Sequence, residues 1–232
     1  MFSANNIHVN YGKSKVINGL SLHINEGDKV AILGRNGVGK TTLLKSIMGL
    51  LPVEQGNIHF LKKDITKKRT FLRCSEGIGY VPQGREVIPL LTVEENLDLG
   101  ALGHKDIDIQ LQKEWVMSYF PALKEHLPRK GGVLSGGLQQ QLALARCLMS
   151  SPRMILLDEP TEGIQPNIVS EIASTLKKIS EEKKITMIVV EQNLKFAKKL
   201  ADKFAIMQKG CIVSQGDMEE LTDEMTRRYL AL

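Results

Sequence analysis

The stretch Gly34-Arg35-Asn36-Gly37-Val38-Gly39-Lys40-Thr41-Thr42 decides the fold of this chain. It matches the pattern Gly-x4-Gly-Lys-Thr without a mismatch, and it follows the largely apolar run 29–33, which is short enough to be a buried strand. Glycines allow consecutive N–H groups to turn inward, and the helix that follows presents its unpaired amides to an anion. The sequence therefore predicts a phosphate-binding loop. The alternative is a glycine-rich turn in an ordinary strand–helix unit.

The residues of this loop predict binding of a nucleotide. Lys40 is expected to reach the β- and γ-phosphates, and the Thr41 hydroxyl is expected to bind Mg²⁺. The predicted nucleotide-binding residues of the loop are Gly34, Asn36, Gly37, Gly39, Lys40, Thr41 and Thr42. The loop alone leaves open what the nucleotide is used for.

Two adjacent carboxylates, Asp158 and Glu159, follow the apolar run 154–157. Ligands of open α/β sheets bind at the carboxyl ends of the strands, so we expect these side chains beside the phosphate loop. Asp158 would hold Mg²⁺ through water, and Glu159 would polarise the water that attacks the γ-phosphate. The alternative is that both acids only cap the strand.

Ser135, Gly136 and Gly137 precede a run of strong helix formers at 139–146. A serine N-cap with two glycines predicts a helix N-terminus that can bind a second anion. For these residues alone, a loop with an ordinary helix cap is the alternative. Tyr11, at the end of the first predicted strand, also has two interpretations. Its ring either stacks on a nucleotide base or packs against the protein.

The rest of the pattern predicts an α/β chain. The runs 7–11 and 20–24 alternate with period two and are expected to pair as antiparallel strands. The run 92–95 is a capping box that opens a helix. The other predicted elements are helices at 40–48, 106–120 and 166–182, strands at 78–81 and 185–190, hairpins at 58–64 and 204–213, and a C-terminal helix.

The composition indicates one globular unit. The chain has 232 residues, of which 42% are apolar, enough for a sizeable core. No run approaches the ~18 apolar residues of a membrane helix, so we expect a soluble, unsecreted chain. The net charge is +5, but the lysine pairs are scattered among acidic residues, which predicts solvated faces and no nucleic-acid partner. Attraction to an anionic membrane surface is the alternative for these lysines. The three cysteines lie far apart, as is typical of reduced cytosolic thiols.

Several motifs together now indicate a family. The phosphate loop, Gln83 after a strand, Leu-Ser-Gly-Gly at 134–137 and the apolar-Asp-Glu run resemble, in this order, the nucleotide-binding subunit of an ATP-binding cassette (ABC) transporter. The resemblance covers essentially the whole chain and implies one ABC ATPase domain over 1–232. The implied fold is an α/β phosphate-loop NTPase core with a mixed sheet, an antiparallel β subdomain and a helical subdomain over approximately 84–150. The implied ligands are ATP and Mg²⁺.

The resemblance also implies roles for single residues. Gln83 would sense Mg²⁺ and the attacking water, and Tyr11 would stack on the base. In a head-to-tail dimer, Ser135 and Gly137 of one subunit would touch the γ-phosphate held by the other. Gln192 stands where the family has a switch histidine, which puts fast hydrolysis at the chain's own site in doubt. The expected catalytic residues are Glu159, Gln83 and Gln192, and the expected metal ligands are Thr41, Gln83 and Asp158.

The finer motifs imply a subfamily and its partners. The runs 83–87, 91–97 and 190–193 resemble bacterial importers of branched-chain amino acids, and the run 159–166 is most similar to the ATPase subunit of urea importers. The implied function is ATP hydrolysis that powers import of urea, a short amide or branched-chain amino acids through separate membrane permeases. The other implied partners are a second, non-identical ABC ATPase and, indirectly, a periplasmic solute-binding protein, with the chain on the cytoplasmic face of the cell membrane. The alternative is a soluble ABC ATPase that acts in translation or DNA repair.

Overall fold

The strands of the protein form two separate sheets. The computed structural model describes residues 1–104 and 107–230. Within these ranges the strands are β1 (Phe2–Tyr11), β2 (Ser14–Ile24), β3 (Lys29–Leu33), β4 (Gln55–Phe60), β5 (Lys63–Asp64), β6 (Ile78–Val81), β7 (Met154–Asp158), β8 (Thr186–Glu191), β9 (Lys203–Gln208) and β10 (Cys211–Asp217).

The larger sheet has six strands in the order β10-β9-β3-β8-β7-β6. All neighbours pair in parallel except β10, which is antiparallel to β9, so the sheet is mixed as predicted. Every residue of β3, β7 and β8 is buried, as expected for central strands covered on both faces. Since β8 lies between β3 and β7, the carboxyl ends of these three strands meet at one edge of the sheet. This edge is where the predicted site residues converge.

The smaller sheet is antiparallel, with the strand order β2-β1-β4-β5. Helix α1 (Lys40–Met48) packs between the two sheets, and its side chains Leu43, Leu44 and Ile47 are completely buried there. The helix ends at Gly49, whose left-handed backbone lets its amide donate to the carbonyls of Lys45 and Ser46. Packing against the two sheets and the cap at Gly49 thereby fix the position of α1.

The remaining helices cover the large sheet and form a layer next to it. They are α2 (Thr70–Ser75), α3 (Val93–Ala101), α4 (Ile109–Tyr119), α5 (Gly136–Leu148), α6 (Pro166–Lys183), α7 (Leu194–Leu200) and α8 (Asp223–Tyr229). Short 3-10 turns lie at Pro121–His126, Gly131–Val133 and Met218–Glu220. Helices α3, α4 and α5 pack against one another, in agreement with a helical subdomain, although its limits at 84–150 stay a prediction.

Two helix starts test the sequence patterns. The capping box at Thr92 is confirmed, because its side chain accepts from the Glu95 amide and Glu95 accepts from the Thr92 amide. Helix α4 begins at Ile109 with Asp108 as its N-cap, whereas the predicted start, Asp106, lies outside the described residues. Among the described residues, no helix has the length and apolar character needed to cross a bilayer.

Candidate active site

The phosphate loop curls around the side chain of Lys40, which is 5% exposed. The Lys40 ammonium donates to the carbonyl oxygens of Gly34 and Arg35 at 2.9 and 3.1 Å. Gly39, the N-cap of α1, has a φ of 105°, which residues with a side chain rarely adopt. A Cβ atom at Gly34 would lie 2.6 Å from the carbonyl oxygen of Met207. The loop therefore requires glycine at both positions, and it keeps its amides at the N-terminus of α1, where they can bind phosphate.

A cavity of about 740 Å³ lies in front of this loop. Its volume is within the range of small-molecule sites, roughly 300 to 1,000 Å³. Tyr11 lies at its edge and is 59% exposed, which favours stacking on a ligand over packing in the core. The lining residues are Tyr11, Ser14, Val16, Asn36, Gly37, Gly39, Lys40, Thr41, Thr42, Gln83, Glu159, Thr161, Glu162, Glu191, Gln192 and Asn193.

Asp158 lies next to the phosphate loop and is 1% exposed. Its Oδ1 atom accepts from the Thr41 hydroxyl at 2.9 Å, and its Oδ2 atom accepts from the Tyr80 hydroxyl at 3.1 Å. Burial raises the pKa of Asp158 above its ordinary value, and the hydrogen bonds from Thr41 and Tyr80 oppose this rise. Burial, together with the Asp158 carboxylate, also raises the pKa of Tyr80. A buried carboxylate with a raised pKa is a group that a nearby cation would stabilise.

These donors fit Mg²⁺. The Thr41 hydroxyl and the Asp158 carboxylate place two hard oxygen atoms side by side, which is the type of ligand that Mg²⁺ prefers. No cluster of three or more His, Cys, Asp or Glu suited to a metal occurs in the described part of the chain. The two oxygen atoms of Thr41 and Asp158 suit an ion that completes its coordination with phosphate and water. Gln83, the third predicted ligand, also lines the cavity, and its Nε2 atom donates to Glu162 Oε2 at 3.0 Å.

Glu159 faces the cavity from a strained backbone. Its φ is +45°, an uncommon value for a residue other than glycine, and such residues are frequent at active sites. The conformation is held by the Glu159 amide, which donates to the carbonyl oxygen of Val190 at 3.0 Å. The Oε1 atom lies 3.5 Å from the Lys40 ammonium. A carboxylate beside the phosphate-binding lysine can orient and polarise a water molecule.

Gln192 follows β8 and lies across the mouth of the loop. Its Nε2 atom is 2.6 Å from Asn36 Oδ1 and 3.1 Å from Glu159 Oε1. The structure therefore brings Gln192 to the place where its predicted role requires it, while the role itself stays a prediction.

The residues Ser135, Gly136 and Gly137 lie apart from the phosphate loop. Ser135 is the N-cap of α5, as predicted, and its Oγ atom accepts from the Leu138 amide at 3.4 Å. Ser135 is exposed, and none of the three residues lines the cavity. Within one chain, this helix N-terminus and the phosphate loop thus do not form a single site.

Some residues of the site were not predicted from the sequence. Tyr80 binds the Asp158 carboxylate, Glu191 binds two loops at the cavity, and Arg85 donates to the carbonyl oxygens of Glu162 and Gly163 at 3.1 and 3.3 Å. The position of Glu191 at a strand end next to Gln192 is a sequence signal for it. Arg85 lies two residues after Gln83, a predicted site residue, and this nearness in the sequence is the signal that could have found it.

Comparisons with known proteins show what this chain is similar to. The family model described as ABC transporter matches residues 17–162. The high-affinity branched-chain amino acid transport ATP-binding protein BraG of Pseudomonas aeruginosa is 37% identical over 213 residues, covering 92% of this chain and 91% of that protein. The probable branched-chain amino acid transport ATP-binding protein LivF of Archaeoglobus fulgidus is 32% identical over 217 residues, covering 94% of this chain and 92% of that protein.

Solved structures are similar over almost the whole chain. A nucleotide-free ATP-binding cassette from an ABC transporter has a TM-score of 0.86 and 27% identity, covering 100% of this chain and 95% of that chain. The dimeric structure of a post-hydrolysis state of an ATP-binding cassette bound to ADP and Pi has a TM-score of 0.83 and 26% identity, covering 95% of this chain and 100% of that chain. The predicted fold class is thereby confirmed.

Proposed function

Since the chain belongs to the ABC transporter family of ATP-binding proteins, we propose that it is the ATPase subunit of an importer for branched-chain amino acids. The observation that supports ATP hydrolysis best is the position of Glu159, whose strained backbone directs its carboxylate to within 3.5 Å of the Lys40 ammonium. The solute is supported by the names of the relatives from Pseudomonas aeruginosa and Archaeoglobus fulgidus, which refer to branched-chain amino acid transport. The finer likeness to urea importers stays a prediction.

The chemistry follows from this chain's own groups. Lys40 and the amides at the start of α1 bind the phosphates of ATP, and the exposed ring of Tyr11 stacks on the base. Thr41 and Asp158 would hold Mg²⁺, which neutralises charge on the phosphate oxygens when bound. Glu159 orients the attacking water and accepts its proton, and Gln192 donates a hydrogen bond beside it. Gln83, whose Nε2 atom donates to Glu162, would contact the metal or the water through its Oε1 atom.

Transport of the solute is tested with the assembled importer. The chain is purified with its permease subunits, reconstituted in vesicles, and supplied with a binding protein loaded with leucine or with urea. We expect leucine, and not urea, to stimulate ATP hydrolysis and uptake. With the partner cassette's site disabled, Glu159→Gln should abolish hydrolysis. Stimulation by urea alone would reassign the solute, and hydrolysis that persists in Glu159→Gln with the partner's site disabled would contradict the proposed role of this carboxylate.

The proposed assembly is a head-to-tail dimer on the cytoplasmic face of the membrane. Ser135 and Gly137 would touch the γ-phosphate bound by the partner, a proposal supported by the exposure of Ser135 and by the fact that neither residue lines the chain's own cavity. The partner is proposed to be a second, non-identical cassette. Light scattering tests this: with ATP, Glu159→Gln should dimerise only when the second cassette is added, and Ser135→Arg should prevent it. Dimerisation of this chain alone would indicate identical subunits.

The membrane partners distinguish the main proposal from its alternative. A subunit of an importer should co-purify with permeases from detergent-solubilised membranes, and a periplasmic solute-binding protein should act on it only through them. A soluble ABC ATPase acting in translation or DNA repair should instead co-purify with ribosomes or DNA. The relatives named for amino-acid transport do not favour this alternative.

A further inference from the structure

Glu191 is a buried carboxylate for which the proposed reaction has no role so far. It is the last residue of β8 and is 3% exposed. In the sheet it pairs with Leu33, the residue immediately before the phosphate loop. The carboxylate therefore lies at the centre of the edge where the active-site loops begin.

Each oxygen of Glu191 binds a different loop. Oε1 accepts from the amide and the hydroxyl of Thr161 at 3.1 and 2.6 Å. Oε2 accepts from the amides of Gln192 and Asn193 at 2.9 and 3.0 Å. A buried carboxylate is costly unless it is hydrogen-bonded, and these four donors satisfy it. One rigid group thus joins the segment after Glu159 to the segment that begins with Gln192.

From this geometry we propose that Glu191 is a positioning residue for ATP hydrolysis, an inference that rests on the proposed function. Thr161 is two residues after Glu159, and Gln192 directly follows Glu191. If either loop moved, the 3.1 Å contact between Gln192 and Glu159 would change with it. Misplacement of a reacting group by about 1 Å can lower a rate by about a hundredfold.

Nucleotide binding should depend much less on Glu191. Lys40 is held by the carbonyl oxygens of Gly34 and Arg35, which belong to the phosphate loop itself. Loss of the Glu191 carboxylate should therefore lower kcat and leave KM for ATP nearly unchanged. A residue that only stabilised the fold would not produce this split.

The test compares Glu191→Gln with a matched control at the other end of β8. Glutamine has a similar size, but only one of its two terminal atoms can accept, so one loop loses its acceptor. The control is Thr186→Val, because Thr186 is fully buried and its Oγ1 atom accepts from the Gly27 amide at 2.9 Å. In the purified transporter with the partner cassette's site disabled, we expect Glu191→Gln to lower kcat roughly ten- to a hundredfold with KM within about twofold. Thr186→Val should keep the wild-type kcat.

Amide hydrogen exchange of the full chain measures the coupling directly. Exchange should become faster in Glu191→Gln over both 159–165 and 191–195, whereas Thr186→Val should affect neither range. Thr161→Val, which removes one of the four donors, should give a smaller loss of kcat and keeps the test usable if Glu191→Gln does not fold. Wild-type kcat in Glu191→Gln, or faster exchange in only one range, would overturn the inference and leave the proposed function intact. Absence of hydrolysis in the wild type would overturn both.

Discussion

Gln192 donates a hydrogen bond from Nε2 to Oε1 of Glu159 at 3.1 Å. The same nitrogen lies 2.6 Å from Asn36 Oδ1 in the phosphate loop, and the same oxygen lies 3.5 Å from the Lys40 ammonium. The carboxylate that we propose as the catalytic group is therefore held between a cation and a neutral donor. An amide side chain can donate a hydrogen bond here, but it cannot transfer a proton or bear a charge.

We expect Gln192→His to raise the rate of ATP hydrolysis at this chain's own site. A charge-assisted hydrogen bond is stronger than a neutral one by about 1 kcal/mol, which corresponds to roughly a fivefold change in rate, and proton transfer by histidine would add to it. Steady-state ATPase is measured in the assembled transporter with the partner cassette's site disabled. Gln110→His, on the exposed face of α4, is the control. An unchanged rate in Gln192→His would mean that the glutamine is as effective as histidine.

Lys40→Ala and Glu159→Gln should separate ATP binding from hydrolysis. Lys40 makes charge-assisted contacts with phosphate worth about 1.5–3 kcal/mol, so its loss should weaken ATP binding by roughly 10- to 150-fold. Glu159→Gln should keep binding within about twofold of the wild type and lose turnover, because the carboxylate acts on the water. Equilibrium titration with a fluorescent ATP analogue measures ATP binding by both variants, and a steady-state ATPase assay measures their turnover. The exposed Lys62→Ala is the control. Equal loss of binding in both variants would show that this division of roles is wrong.

Tyr11→Ala should weaken ATP binding by about 1–3 kcal/mol, the contribution of one aromatic ring stacked on a base. Tyr11→Phe should have a much smaller effect, because the face of the ring makes the contact. The ring is 59% exposed at the edge of the cavity, so the substitution should not lower the melting temperature. Titration with ATP and GTP tests this, and similar losses for both nucleotides are expected. Equal losses in the Ala and Phe variants would indicate a role for the hydroxyl instead.

Features determined by a few neighbouring residues were predictable from the sequence. Helix α1 starts after Gly39 and stops at Gly49 because a phosphate loop and a left-handed C-cap each have a local residue pattern. The Thr92 capping box is local in the same sense. The apolar strand that precedes Asp158 was predictable because a buried parallel strand is a continuous apolar run.

Features set by strand order were not predictable. Glu191 binds Thr161, 30 residues away, only because β8 lies next to β7 in the sheet. Tyr80 reaches Asp158 because β6 pairs with β7, and Gln83 is bound by Glu162, 79 residues further along the chain. Each side chain alone has several possible partners, and the topology selects among them. The relation of Ser135 to a partner's phosphate loop lies outside any single chain and stays a prediction.

Asp158→Asn should raise the melting temperature of the nucleotide-free chain at pH 7 while it removes Mg²⁺-dependent hydrolysis. Burial raises the pKa of Asp158, so the folded chain binds this proton more tightly than the unfolded chain does. The contribution of Asp158 to stability is therefore complete below the pKa that this residue has in the unfolded chain. It is lost as the pH rises through the pKa that the residue has in the folded chain. At pH 7 the buried charge is a cost that asparagine removes, and asparagine can still accept from Thr41. The advantage of the variant should shrink as the pH is lowered.

Thermal unfolding between pH 5 and 8, without nucleotide, measures the change in melting temperature caused by Asp158→Asn. Asp64→Asn is the control, because its expected change has the opposite sign. Hydrogen bonds from the hydroxyl and the amide of Thr66 lower the pKa of Asp64, which is exposed. Asp64 therefore contributes stability above its unfolded pKa, and this contribution is lost as the pH falls through its folded pKa. Asp64→Asn should lower the melting temperature slightly at pH 7, where Asp158→Asn raises it. A lower melting temperature in Asp158→Asn at pH 7 would show that the hydrogen bonds from Thr41 and Tyr80 outweigh the cost of burying the charge.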